Sequence, residues 1–364
     1  MNQGSSKYGP TAARRHGRPG REVRPSSMTV DMHCHVLVPE AVAFVEPHLD
    51  LATVPLAHFA SAETQSINRV QDQQRRAQMT EPAARLADMD AMGIDLQIVT
   101  PPPGQCYYTV DPEIGIRAAR MVNDGIAEFV SRSPNRFAAL GTVPMQSGVA
   151  AVEELERCVT KIGFKGVEIL TNVAGTELSD PAYEIFWEKA EALGAVVMLH
   201  PNGFTEAKRL SRFYFNNVIG NPLDTTVALH YLIFDGVLER HPNLKLVAVH
   251  GGGYLAAYSG RIDHAWGARA DSRGSLPQPP TSYLKRVYFD SVVFSPHQLH
   301  ALVSTFGAGH VLMGTDYPYD MAESDPIGHL ASLDTLGPSE LAAIAGGNAA
   351  KLFSLRQAGK AGGA

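Results

Sequence analysis

The stretch Val30-Asp31-Met32-His33-Cys34-His35 ends a short apolar segment with two imidazoles two residues apart. In an extended strand, residues i and i+2 point to the same face, so His33 and His35 can reach one ion. Imidazole suits zinc, iron, nickel and related divalent metals, with a neutral ring nitrogen as the usual donor. The pair predicts a metal site at a strand end, with the remaining ligands supplied from elsewhere in the chain.

Working outward, short β-branched runs at residues 29–33, 96–100, 137–143, 166–169, 196–200, 244–250, 287–290 and 311–316 alternate with segments of helical periodicity, among them 114–132, 150–162, 181–193, 222–240 and 341–352. Such alternation is the pattern of repeated βα units and a parallel sheet. Eight strands predict an α/β chain folded as a (β/α)8 barrel of the TIM type. A doubly wound open sheet competes less well, because no Gly-x-Gly-x-x-Gly follows the first strand.

A barrel gathers reactive side chains at the carboxyl ends of its strands, where the βα loops converge. His33 and His35 close the first strand, His200 the fifth, His250 the sixth and Asp316 the eighth. His33, His35, His200 and Asp316 predict a shell of three histidines and one carboxylate, with a position left for water or substrate. His250 stands either as a fifth ligand or as a proton-transfer or oxyanion-stabilising group. Its place before Gly251-Gly252-Gly253, where backbone can approach a ligand closely, suits the second role.

Composition narrows the partners. The 364 residues, 45% hydrophobic and 19% charged, are those of a soluble globular protein with a sizeable core. A net charge of -6 argues against a nucleic-acid surface. No run approaches the roughly 20 apolar residues of a membrane span. Cys34, Cys106 and Cys158 form no disulfide framework, which fits a reducing cytosol and predicts a cytoplasmic protein. Residues 1–27 carry Arg14, Arg15, Arg18, Arg21 and Arg24 among Gly, Ser and Pro and read as a disordered tail. Residues 28–355 read as one barrel domain with a loop and helix insertion around 39–85, and 356–364 as a flexible tail.

Several motifs carry a family resemblance: His33-x-His35, His200-Pro201, His250-Gly-Gly-Gly-Tyr-Leu through Gly260-Arg261-Ile262-Asp263-His264, and Gly314-Thr315-Asp316-Tyr317-Pro318. Together with Arg85-Leu-Ala-Asp-Met-Asp90 and Gly141-Thr-Val-Pro-Met-Gln146, they resemble the decarboxylase branch of the amidohydrolase superfamily. That branch (amidohydrolase family 2) is typified by α-amino-β-carboxymuconate-ε-semialdehyde decarboxylase and also holds hydroxybenzoate decarboxylases. The resemblance implies a barrel, one divalent metal (zinc or manganese) on the matching histidines and aspartate, a catalytic histidine at His250, and a homodimer. No lysine that could be carboxylated and bridge two ions appears at the end of the fourth strand, where Gly166-Val167-Glu168-Ile169 stands, so a mononuclear centre is implied.

The expected activity is non-oxidative decarboxylation of a small unsaturated or aromatic acid, such as a carboxymuconate semialdehyde or a hydroxybenzoate, with His250 and Asp316 moving protons. Hydrolysis of an amide, lactone or ester by metal-bound hydroxide is the alternative. For carboxylate recognition a guanidinium is the natural partner. Arg76 aligns approximately with a substrate arginine of the family, and Arg209 follows the fifth strand. Asn202 and Tyr319 stand where the family resembles His-Pro-Trp and Asp-Tyr-Pro-Phe, which makes them candidate substrate contacts. Tyr107, Tyr108, Phe204, Phe213 and Tyr214 lie in the loops after strands two and five and are candidates for an apolar pocket.

Overall fold

Eight parallel strands close into a barrel in the computed structural model, which describes residues 19–355. They are β1 (Val30–His35), β2 (Leu96–Thr100), β3 (Phe137–Ala139, resumed after Leu140 at Gly141–Thr142), β4 (Gly166–Leu170), β5 (Val196–His200), β6 (Lys245–Ala248), β7 (Tyr288–Asp290) and β8 (Val311–Leu312). Each pairs in parallel with its neighbours from β1 round to β8. The seam between β8 and β1 is closed by main-chain hydrogen bonds, Met32 N to Met313 O at 3.0 Å, Asp316 N to His33 O at 2.8 Å and His35 N to Tyr317 O at 2.8 Å.

A β-bulge in β1 decides what its side chains face. Val30 and Asp31 pair with Leu96 and Gln97, and Cys34 and His35 with Val99 and Thr100. Three steps on β1 therefore match two on β2, and the inward parity reverses. Val30 and Met32 pack inside the barrel with Leu96, Ile98, Val196, Met198 and Val247, over a floor formed by Leu352 and Phe353. Above the bulge, His33 and His35 take over the inward face at the barrel mouth. The larger apolar cluster lies between strands and helices, with Trp187, Phe186, Ile126 and Leu229 fully buried.

Several predicted boundaries shift for identifiable reasons. The helix expected from residue 114 begins at Pro112, because the Asp111 side chain accepts the Glu113 N–H and proline fits the first helical position. The helix expected over 222–240 is two, Asn221–Phe234 and Val237–Arg240, divided at Gly236, whose φ is 78°. The last strand, expected over 311–316, keeps regular pairing only over Val311–Leu312, and Asp316 turns at φ 63°. Residues 1–18 and 356–364 lie outside the described residues. The remainder of the expected N-terminal tail is not a tail: Gly20–Val23 form a helical turn, and the Gly20 N–H donates to Asp325 Oδ1 at 3.0 Å.

Between β1 and β2, the helices Pro39–Val45, Ala62–Gln74, Arg76–Thr80 and Pro82–Met92 occupy and extend the expected insertion. They meet the barrel mouth through Leu56 N to Asn202 O at 3.1 Å and Asn216 Nδ2 to Pro55 O at 2.9 Å. Among the described residues no helix is long and apolar enough to cross a membrane.

Arg85, fully buried, fastens this insertion to the barrel. Its guanidinium donates to His35 O at 2.8 Å, Gln78 O at 2.8 Å and Gln97 Oε1 at 2.6 Å. Arg85→Ala leaves three acceptors, two of them buried, without this donor and opens a void, so a loss of about 3 kcal/mol or more is expected in urea unfolding. A loss below about 1 kcal/mol would show that the network adds little to stability.

Candidate metal centre and cavity

Four imidazoles and one carboxylate converge where β1, β5, β6 and β8 end. The rings of His33, His35 and His200 lie with centroids 5.1–5.2 Å apart, and His250 is 5.2 Å from both His33 and His200. Asp316 Oδ1 is 3.2 Å from His35 Nε2 and 3.5 Å from His33 Nε2, and its Oδ2 is 3.4 Å from His250 Nε2. Ligand atoms of His33, His200, His250 and Asp316 all lie within 4.8 Å of one another. All five predicted residues are thus brought together, with His35 on the same Asp316 oxygen that faces His33.

The outer edges of the rings fix what the inner edges offer. His35 Nδ1 is 2.9 Å from Pro101 O, His200 Nδ1 2.7 Å from Pro201 O, and His33 Nδ1 2.6 Å from Asp290 Oδ2. Each of these oxygens takes an N–H, which leaves a lone pair on each Nε2. The Nε2 atoms of His33 and His200 are buried and without a hydrogen-bond partner. The Nε2 of His35 faces a carboxylate oxygen, an arrangement that calls for a proton or a cation between them. These ring nitrogens and the Asp316 carboxylate could hold a single divalent cation. His250 differs, because its Nδ1 is buried without a partner and its ring is not turned by an outer acceptor.

The electrostatics agree with a cation site. Burial works against an ionised Asp316, yet His33, His250 and His35 hold its carboxyl well below the usual range. Burial and the neighbouring His35, His33 and His250 push His200 well below the usual imidazole value, so it stays neutral. Glu168, pushed up to about 7 chiefly by burial, lies 3.9 Å from the outer Nδ1 of His35. It sits behind that ring and outside the converging donors, where it bridges nothing.

Above the cluster lies a cavity of about 530 Å³ lined by His200, His250, Asp316, Tyr107, Tyr214, Asn202, Tyr319, Arg75 and Arg76. Of the expected substrate contacts, Asn202, Tyr319 and Arg76 line it, with Arg76 exposed at the rim. Arg209 is exposed on the turn Ala207–Leu210 and lines no part of this cavity. Phe213 is also on the surface at 68% exposure. Tyr107 and Tyr108 line an adjoining chamber of about 620 Å³.

Three residues that sequence reasoning passed over belong here. Arg75 is buried at the junction of two helices, its guanidinium 4.6 Å above the Tyr319 ring. Asp72 takes its Nε and Nη2, while Nη1 is buried without a partner. Asp320 accepts from the Tyr214 hydroxyl at 3.5 Å beside the same cavity. Asp290 holds His33. The signal for Asp290 was available: it is a carboxylate at the end of the seventh strand. For Arg75 the signal was ambiguous, since two adjacent arginines cross a helix break and periodicity does not say which faces inward.

The amidohydrolase family model matches residues 30–355. The chain is 31% identical over 331 residues to 2-amino-3-carboxymuconate-6-semialdehyde decarboxylase of Dictyostelium discoideum, covering 90% of this chain and 92% of that protein. It is 29% identical over 297 residues to γ-resorcylate decarboxylase of Rhizobium radiobacter, covering 74% of this chain and 86% of that protein. The solved structure of 5-carboxyvanillate decarboxylase from Sphingomonas paucimobilis superposes with a TM-score of 0.79 at 25% identity, over 91% of this chain and 100% of that one.

Protein purified without chelators is expected to carry one divalent ion per chain by elemental analysis, and His33→Ala or Asp316→Ala to lose it. Full metal content in both variants would reject the cluster as the binding site.

Proposed function

The chain belongs to the amidohydrolase family, and from that premise we propose that it is a metal-dependent, non-oxidative decarboxylase of a small aromatic or unsaturated carboxylic acid. In this reading His33, His35, His200 and Asp316 hold the ion, and His250 exchanges the proton. One observation carries it: the unpartnered Nε2 atoms of His33 and His200 and the His35–Asp316 pair meet beneath a cavity whose roof holds an arginine with a buried, unpaired nitrogen. Zinc is the metal we propose on the nitrogen-rich donor set, with manganese the competitor that elemental analysis separates.

Decarboxylation breaks the bond between the carboxyl carbon and its neighbour, releases carbon dioxide and leaves the electron pair on that neighbour, which then takes a proton. Held by His33, His35, His200 and Asp316, a divalent ion would supply Lewis-acid chemistry at the floor of the cavity. His250, 3.4 Å from Asp316 Oδ2 at the cavity floor, is placed to deliver the proton to carbon. Arg75 Nη1 offers a hydrogen bond to an anionic or hydroxyl oxygen, while Asp72 and the Tyr319 ring fix the plane of the guanidinium. We therefore assign the substrate arginine to Arg75, with the exposed Arg76 at the entrance. Asn202, Tyr319 and the Tyr214–Asp320 pair give the wall a polar character suited to hydroxyl or amino substituents on a planar substrate.

Family resemblance supports a homodimer, which sedimentation velocity checks. Three free, buried cysteines support a cytosolic location.

Carbon dioxide release is expected on a panel of hydroxybenzoates and carboxymuconates. Acid production from lactones, esters or amides without carbon dioxide release would favour the hydrolase reading. Arg75→Met is expected to lower kcat/KM about 100-fold, from the loss of one charge-assisted hydrogen bond, while Arg209→Met stays within about twofold. His250→Ala is expected to retain its metal and lose turnover by about 100-fold or more. Loss of metal from that variant would move His250 into the ligand set.

A further inference from the structure

We propose that Asp290 is a positioning residue that sets two parts of the site at once: the tautomer of His33, and the turn that presents His250. The inference rests on the metal-site reading above and assigns a side chain that touches neither substrate nor ion.

Asp290 ends β7 and is fully buried. Its Oδ2 is 2.6 Å from His33 Nδ1, and its Oδ1 accepts the Gly251 N–H at 2.8 Å and the Val292 N–H at 3.2 Å. The outer acceptors of His35 and His200 are main-chain carbonyls, which no substitution removes. The Thr100 hydroxyl also lies 3.0 Å from His35 Nδ1, but of the three rings only His33 has no main-chain acceptor at its Nδ1. The same carboxylate ties down Gly251, the residue after His250, where the chain runs through four successive residues of positive φ, His250 at 54°, Gly251 at 62°, and Gly252 and Gly253 both at 73°. A Cβ on Gly251 would fall 2.4 Å from Val293 Cγ1, so the turn leaves no room for a side chain at that position.

The isosteric amide separates these roles. In Asp290→Asn, Oδ1 continues to accept from Gly251 and Val292, so the turn keeps its anchor. The nitrogen that replaces Oδ2 donates where the carboxylate accepted. His33 Nδ1 must then become an acceptor, its proton moves to Nε2, and the lone pair leaves the metal side. Rotating the amide to avoid this would set its NH2 against two backbone N–H groups. A carboxylate with only a packing role would leave the tautomer alone.

The test uses nitrogen-15 histidine labelling of the full-length, metal-free protein, with the His33 signals identified by their loss in His33→Gln. The wild type is expected to carry its proton on His33 Nδ1 and Asp290→Asn on Nε2. Affinity of Asp290→Asn for zinc is expected to fall about 10- to 100-fold, the usual effect of removing a group that orients a metal-ligating histidine. The proposal is overturned if wild-type His33 carries its proton on Nε2, an outcome readable even if the variant does not fold. It is equally overturned if Asp290→Asn keeps the Nδ1 proton and wild-type zinc affinity. A wild type with the expected tautomer but no metal affinity would instead defeat the metal reading, leaving the action of Asp290 on His33 standing.

Discussion

The site depends on how the last strand closes onto the first. Asp316 N donates to His33 O at 2.8 Å and His35 N donates to Tyr317 O at 2.8 Å, so the carboxylate and two imidazoles are held by adjoining main chain across one seam. Beneath it, Asp31 takes the Thr315 N–H at 3.0 Å, the Thr315 hydroxyl at 2.7 Å and Gln97 Nε2 at 2.8 Å. Gln97 in turn accepts from Arg85, which also holds His35 O. The buried charge of Arg85 is thereby spread into acceptors from β1, β2 and the insertion, and these polar contacts keep the seam in one register.

Two groups of that centre stand on backbone that L-residues seldom adopt. His250 has φ 54° and Asp316 φ 63°, each conformation costing roughly 1 kcal/mol or more. Extended backbone would carry both side chains along their strands. The left-handed turn instead swings each toward the barrel axis, where His250 Nε2 and Asp316 Oδ2 come within 3.4 Å. The hydrogen bonds around them hold that geometry: Asp290 grips the residue after His250, and the main chain of β1 grips Asp316 itself.

Much of this was legible in the sequence because strand ends are marked by residue type. His33, His35, His200, His250 and Asp316 each end an apolar run, and a barrel has one place for such ends to meet. The β1 bulge left no mark, because Val30-Asp31-Met32-His33 reads as ordinary alternation and only the pairing with β2 shows the extra residue. Arg209 misled by proximity along the chain: it follows the fifth strand, but its turn faces solvent. Arg75 was hidden by its neighbour, since the break between Ala62–Gln74 and Arg76–Thr80 removes the periodicity that would say which arginine turns inward. The ligands came from a repeating architecture, whereas the roof came from an irregular insertion whose packing follows no period.

That division has a chemical consequence. The floor of the cavity is made by strand ends and the roof by the β1–β2 insertion, and Tyr319 touches both. Its ring lies 5.2 Å from that of His35 and 4.6 Å beneath the Arg75 guanidinium. Its N–H donates to Asp316 O at 3.0 Å, which fastens it to the metal-site turn. The distance from the converging donors to the unpaired Arg75 nitrogen is therefore set by one aromatic ring and two short connections. In the proposed reading, a substrate whose reacting carboxylate sits at the floor would meet Arg75 through a second polar group. Discrimination of this kind comes from leaving a buried donor unpaired when the substrate is too short, a penalty of roughly 1–3 kcal/mol, and on the proposed function it would place selectivity in the roof and chemistry in the floor.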